Sequence, residues 1–212
     1  MINIIIIGIN GFGREIYQYA KDTFPSDQYE IKGFLSSNTD DSSNSSTVLK
    51  ILGDENSYEI QENDRFILAI GDVMTKKRIV SILKKKGAKF INLIHPTAIV
   101  FDTAMLGEGV VICPNVIVSD QAVIEDFVTM NCYSTARHDS RIGKYSILAP
   151  YTIVNGYSIL ENEIFLGTHS TVIAETKIGR NSKISANSVA MYNVAPYSFV
   201  YGVPGKSKKI FG

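Results

Sequence analysis

Residues 98–133, written in blocks of six, read AIVFDT AMLGEG VVICPN VIVSDQ AVIEDF VTMNCY, and the same register continues to Asn193 without an insertion. The third residue of every block is apolar, from Val100, Leu106, Ile112 and Val118 through to Ile184 and Ala190. A period of six is neither the 3.6 of a helix nor the 2.0 of a lone strand. It is the period of a chain that turns a corner every six residues and sends one side chain inward per side. Three blocks then close a triangular coil of eighteen residues. The residue two before each inward position is small or β-branched, as in Val116, Ser134, Thr152 and Ser170. The inside of a corner has little room for anything larger. Gly107, Gly143, Gly167 and Gly179 directly follow inward residues and are expected to serve the turns through their conformational freedom. Short strands joined this way stack as parallel ladders, and the repeat predicts about five coils. A β-sandwich would vary its loop lengths, and these ninety-six residues do not.

Composition sets the outer limits. The chain has 212 residues, 45% apolar, between the lengths of one and two domains. Lys and Arg number 21, as do Asp and Glu, so a nucleic-acid or membrane-surface partner is not expected. Cys113 and Cys132 are too few for a disulfide framework, no CxxC is present, and Cys113 adjoins an inward position, so packing is its expected role. The opening MINIIIIGING shows no basic leader or cleavage site, and its apolar run is too short to span a bilayer. A cytoplasmic protein is the expectation.

The segment before the repeat has another grammar. Met1–Ile7 is an apolar run suited to a buried parallel strand. Gly8-Ile9-Asn10-Gly11-Phe12-Gly13 follows, then a helical stretch carrying Ile16, Tyr19 and Ala20, then a second strand over Tyr29–Leu35. This is a βαβ unit. Glycines there let the backbone approach a phosphate, and a helix N-terminus supplies free N–H groups. Gly8, Asn10, Gly11, Phe12 and Gly13 are therefore candidate ligand contacts. The spacing is GxxGxG and not the dinucleotide GxGxxG, so a nicotinamide cofactor is not inferred. A phosphate-bearing ligand and a ligand-free tight turn both fit these residues. Ser36 to Thr47, SSNTDDSSNSST, reads as a loop that either covers a nucleotide or is slack. Ser36 and Ser37, at the end of the second strand, and Gly71-Asp72, after a strand over Arg65–Ile70, complete a candidate binding edge. Thr75–Lys86 reads as a helix burying Ile79, Ile82 and Leu83. Its basic residues Lys76, Lys77, Arg78, Lys84, Lys85 and Lys86 form a solvated face, unless one of the first three reaches a phosphate. Lys89–Ile94 is expected to be the last strand. The predicted organisation is a small Rossmann-like α/β domain over 1–94 and a parallel β-helix over 95–212.

Only three histidines occur, His95, His138 and His169, too dispersed for a metal site. His95 precedes a proline at the junction and reads as structural. His169 lies in register with Tyr133, Tyr151 and Asn187 at eighteen-residue steps, an outer column suited to a subunit interface or to flanking a cofactor. His138 lies two residues past inward Ala136, on an outer surface, with Asp139 beside it, Asp120 one coil earlier and Gly156 one coil later. A histidine titrates near neutrality, and a carboxylate neighbour fixes its tautomer, so the pair suits a general base. A surface histidine without a task fits the residues alone equally well.

The repeat resembles that of the hexapeptide-repeat acyltransferases, which implies a left-handed β-helix, a homotrimer and active sites between adjacent prisms. The segment Asn131-Cys132-Tyr133-Ser134-Thr135-Ala136-Arg137-His138-Asp139-Ser140-Arg141-Ile142-Gly143 is similar to the motif of one branch. That branch holds the sialic-acid O-acetyltransferases and the nucleotide-linked 4-amino-sugar N-acetyltransferases. The resemblance implies that His138 is the base, that Asp139 orients it, and that the Gly156 N–H stabilises the oxyanion. It implies acetyl-CoA as co-substrate, with Gly156, Gly167, Thr168 and Ala186 lining its channel, and Lys206 in the terminal loop Val200-Tyr201-Gly202-Val203-Pro204-Gly205-Lys206. The partner it implies is a nucleotide-activated sugar held near the glycine loop, and the expected reaction is acetyl transfer to its amine. No covalent acyl-enzyme is needed. O-acetylation of a sugar hydroxyl and a non-catalytic sugar-nucleotide-binding scaffold are the alternatives. The chain departs from the pattern at three places: Phe12 replaces a histidine, Ser36 and Ser37 replace paired aspartates that hold the base, and Ile147 replaces a second histidine.

Overall fold

A computed structural model of the chain describes residues 1–37 and 50–210. Residues 38–47 of the polar loop expected over 36–47 lie outside the described residues. Contacts divide the chain into two compact units, Met1–Leu93 and Ile94–Gly212.

The first unit runs β1 (Ile2–Ile7), α1 (Gly11–Thr23), β2 (Tyr29–Leu35), β3 (Ile51–Gly53), β4 (Asp64–Leu68) and α2 (Val73–Lys85). Its four strands form a parallel sheet in the order β3-β2-β1-β4. The apolar run of β1 is explained by its central place, with Ile4, Ile5 and Ile6 fully buried. α1 buries Gly13, Ile16 and Ala20. A Cβ on Gly13 would lie 2.1 Å from the Gly8 carbonyl oxygen, so only glycine lets the helix start this close to β1. Gly8 itself has φ +104°, and a Cβ there would meet the Ala69 oxygen at 2.7 Å.

Several expectations are corrected here. β3 is absent from the sequence reading, being three residues long with no alternation to read. Lys89–Ile94 is not a strand of this sheet: Phe90 makes one bridge to Phe66, and Leu93–Ile94 pairs in the β-stack of the repeat instead. The basic face of α2 is not uniformly solvated. Lys76 is fully buried, and Lys86 Nζ donates to the Asn56 carbonyl at 2.8 Å, which ties the turn after β3 to the end of the helix. Asp64, at the start of β4, is buried and accepts from Tyr58 Oη (2.8 Å), Gln61 N (2.8 Å) and Asn3 Nδ2 (3.0 Å).

In the second unit two-residue strands recur every six residues from Ile99–Val100 to Val189–Ala190. The second residue of each strand faces inward, and Ile112, Ile124, Met130, Leu148 and Leu166 are fully buried. Val100 and Leu106, in the end layer of the repeat, are only half-buried. Val123 pairs with Arg141 and Ile124 with Ile142, a parallel step of eighteen residues that recurs along the stack. The three sheets contain six, five and eight strands. The expected count of about five coils is therefore too small on one side. There Leu93–Ile94 precedes the repeat, and Ser198–Tyr201 and Lys206–Lys209 extend it. The last two pair antiparallel and close the stack as a hairpin.

The reading of the corner glycines is also corrected. The left-handed backbone falls on the last residue of each block from Gly109 to Asn187, as in Tyr133 (φ 62°), Asp139 (φ 56°), Tyr151 (φ 61°) and His169 (φ 59°). Gly107, Gly143, Gly167 and Gly179 have no positive φ. They are needed for the approach of the next coil: a Cβ on Gly167 would stand 2.6 Å from Ala186 N, and one on Gly179 2.4 Å from Pro196 N.

Candidate active site

The corner that holds His138 follows the strand Thr135–Ala136. Its backbone hydrogen bonds run to the coils above and below. Arg137 N donates up to the Val154 oxygen (2.9 Å), and Asp139 N donates down to the Asp120 oxygen (3.0 Å). One coil later Asn155 N donates to the Val172 oxygen (3.1 Å) and Tyr157 N to the His138 oxygen (3.2 Å). The ladders on either side use the flanking N–H groups and leave out that of the middle residue, His138 in one coil and Gly156 in the next. The corner thus presents a side chain and, one coil along, a backbone donor with no acceptor among the described residues.

His138 Nδ1 lies 3.0 Å from Asp139 Oδ2, with the imidazole 48% exposed and the carboxylate 37%. With Asp139 as acceptor the ring proton sits on Nδ1, which leaves the Nε2 lone pair free. A Cβ on Gly156 would meet His138 Cε1 at 2.6 Å and Nε2 at 2.8 Å, so the imidazole fills the space a side chain would take. The Tyr157 ring stands edge-on to the imidazole, centroids 5.2 Å apart at 81°. Asp120 is one coil below, but its carboxylate accepts from the Thr103 hydroxyl, so Asp139 is the carboxylate hydrogen-bonded to the ring.

Gly167, Thr168 and Ala186 occupy a different corner, after the strands Phe165–Leu166 and Lys183–Ile184. They meet each other there: Gly167 closes on Ala186, and Asn187 N donates to the Thr168 oxygen at 2.9 Å. The same corner carries the expected aromatic column. Tyr133 stacks on Tyr151 at 4.8 Å and 4°, and Tyr151 on His169 at 4.7 Å and 1°. The sheet containing Ile153–Val154 and Thr171–Val172 separates this corner from that of His138, so one chain does not bring the two sets together. Lys206 is exposed and pairs with Tyr201 in the closing hairpin, whose Gly205 rests against the Val189 oxygen. His95 is buried at the junction, with Nδ1 2.9 Å from Thr97 Oγ1.

The first unit has a cavity of about 440 Å³ at the carboxyl ends of β1, β2 and β4. The chain leaves β1 toward β2 on one side, and β4 flanks it on the other, which is where parallel sheets open a crevice. Of the residues the sequence offers as ligand contacts, Gly8, Asn10, Phe12, Ser36, Ser37, Gly71 and Asp72 line the cavity. Gly11 and Gly13 do not. Gly13 serves helix packing, and a Cβ on Gly11 would meet nothing closer than Arg14 Nη2 at 3.9 Å. The Asn10 side chain makes no cap bond to α1, whereas Asp72 caps α2 by accepting from Thr75 N at 2.8 Å. Sequence reasoning missed Glu55 as a lining residue and left Arg78 among six basic residues. Glu55 is 4% exposed, and Arg78 Nη1 donates to its Oε1 at 2.8 Å. Nothing in the turn Asp54-Glu55-Asn56-Ser57 signals this from sequence.

Among the described residues no group of three or more His, Cys, Asp or Glu is placed to hold a metal ion, and no helix is long and apolar enough to cross a membrane.

Residues 3–83 match the model of the PglD N-terminal domain. Eighty residues are 34% identical to a GDP-perosamine N-acetyltransferase of Escherichia coli O157:H7, a match covering 38% of this chain and 36% of that protein. The chain thus spans about a third of the length of the curated relative it matches. Solved structures share the fold over nearly the whole chain. The acetyltransferase domain of PglB from Neisseria gonorrhoeae FA1090, in complex with acetyl coenzyme A, superimposes with a TM-score of 0.87 at 24% identity, covering 96% of this chain and 98% of that one. PerB from Caulobacter crescentus, in complex with CoA and GDP-perosamine, gives 0.87 at 23%, covering 97% of each. WeeI from Acinetobacter baumannii AYE gives 0.84 at 24%, covering 98% and 100%.

Proposed function

We propose that the protein transfers acetyl from acetyl-CoA to the amino group of a nucleotide-linked 4-amino-4,6-dideoxy sugar, for surface glycan synthesis. The substrate amine attacks the thioester carbonyl, and His138 Nε2 takes its proton. Asp139 holds the imidazole and stabilises the imidazolium. The Gly156 N–H donates to the oxygen of the tetrahedral intermediate, which collapses to amide and CoA thiolate, with the proton on His138 available to the leaving sulfur. The observation that carries this reading is the imidazole held by Asp139 at 3.0 Å, in the space that a side chain on Gly156 in the next coil would take. The solved acetyltransferases that share the fold, one named with acetyl coenzyme A and another with CoA and GDP-perosamine, point the same way.

In this reading the first unit is a Rossmann-like sugar-nucleotide domain with its ligand in the cavity. The second is a left-handed β-helix with CoA along Gly167, Thr168, Ala186 and Lys206. Gly167, Thr168 and Ala186 lie one corner away from His138, which supports a homotrimer in which a second copy supplies the missing wall of each site. A cytoplasmic setting follows from the substrates.

The test is thiol release from acetyl-CoA with a panel of nucleotide-linked 4-amino sugars and their 4-hydroxy counterparts. Release is expected with an amino sugar, and His138→Ala is expected to slow turnover by about 10²–10⁴. Release only with hydroxy sugars would replace the reading by O-acetylation. An unimpaired His138→Ala would remove the base.

A further inference from the structure

We infer that the paired side chains of Glu55 and Arg78 read the nucleobase of the substrate and select guanine. The inference rests on the nucleotide-sugar reading above and names the base that reading leaves open.

The cavity of the first unit is lined by two carboxylates, Glu55 and Asp72. Asp72 accepts from Thr75 N as the cap of α2. Glu55 Oε1 accepts from Arg78 Nη1 at 2.8 Å, and its Oε2 accepts from no other described residue. A carboxylate oxygen has room for two hydrogen bonds, so the buried Glu55 retains acceptor capacity toward the cavity. Arg78, 54% exposed at its side chain, keeps further N–H groups beside it.

The pair is held in place from both ends. Asp54 Oδ1 accepts from Asn56 N and Ser57 N, each at 2.7 Å, which shapes the turn that carries Glu55. Lys86 Nζ donates to the Asn56 carbonyl at 2.8 Å and ties that turn to α2, the helix that carries Arg78. A reader built this way loses little freedom when a ligand arrives.

Arg78 brings N–H donors and Glu55 carboxylate acceptors to the same cavity, the groups needed to meet a base edge with one donor followed by two acceptors. The pairing edge of guanine presents the complement: the O6 acceptor, then the N1–H and N2–H donors. Uracil and thymine present acceptor, donor, acceptor, and so set a carbonyl oxygen against a carboxylate oxygen. Adenine presents one donor and then an acceptor against the carboxylate. A buried carboxylate facing such an edge loses a bond and gains repulsion, which is how hydrogen-bonding sites discriminate strongly.

Calorimetric titration of the full chain with GDP, IDP, UDP and ADP tests this. GDP is expected to bind about tenfold or more tightly than IDP, which lacks only the N2 amine, and more tightly still than UDP or ADP. Glu55→Gln should weaken GDP by about tenfold or more and bring GDP and IDP together, in a protein whose melting curve shows it folded. If that variant does not fold, the GDP-to-IDP ratio on the unaltered chain decides alone. Equal binding of GDP and IDP, or UDP or ADP binding as well as GDP, would overturn the guanine assignment and leave the nucleotide reading standing. Failure of all four to bind would overturn both.

Discussion

Gly156→Ala is the smallest change that should separate catalysis from folding. The added Cβ would lie 2.6 Å from His138 Cε1, 2.8 Å from Nε2 and 3.1 Å from Nδ1. Non-bonded carbons settle at about 3.5–4.0 Å, so the ring must retreat by about 1 Å. That stretches the 3.0 Å bond to Asp139 beyond useful hydrogen-bond length and moves Nε2 off the attacking amine. A misplacement of about 1 Å costs on the order of 10² in rate, or about 2.7 kcal/mol of activation free energy. Folding should hardly notice. Gly156 has no positive φ, alanine is conformationally admissible there, and the half-exposed imidazole can swing into solvent. The substituted backbone would keep its N–H, so the loss would report on the ring. Steady-state thiol release alongside thermal unfolding reads both effects. In a His138→Ala background the same substitution should add little, because the two residues act through one contact. A Gly156→Ala variant retaining kcat within about twofold would refute the idea that this glycine clears the space for a catalytic imidazole.

Three further outcomes follow from the packing. Gly13→Ala drives a Cβ to 2.1 Å from the Gly8 oxygen, a backbone atom that cannot step aside, and should lower stability by about 1–3 kcal/mol in urea unfolding while weakening nucleotide binding; an unchanged midpoint would contradict it. Leu148→Ala empties a fully buried inward position and should cost about 2–5 kcal/mol by the same measurement, whereas Tyr192→Ala, highly exposed, should cost little. Asp64 gives a pH signature. Burial alone would push its carboxyl up, but the hydrogen bonds from Gln61 N, Asn3 and Tyr58, with Lys32 nearby, hold it below 3.8. A depressed folded pKa contributes stability that is present above about 3.8 and lost as pH falls through the folded value. The stability gap between the unaltered chain and Asp64→Asn should therefore be full near pH 6 and shrink below pH 4. A gap independent of pH would show that the charge contributes nothing.

Much of this fold can be read from the chain because its order is local. One apolar residue in six dictates which side chain points inward, and the ladder step of eighteen then places His138, Asp120 and Gly156 in one column before any coordinate is known. The strand, glycine loop and helix of residues 2–23 are legible for the same reason, and most of the residues named from them line the cavity. Distance along the chain hides the rest. That Gly156 makes room for an imidazole, that Gly167 yields to Ala186 and not to a turn, and that Glu55 meets Arg78 across twenty-three residues are facts of close approach between separate segments. Local spacing carries no record of such approaches. The periodic pattern determined the coil, but only the packed coils decide which surface atoms are left free to do chemistry.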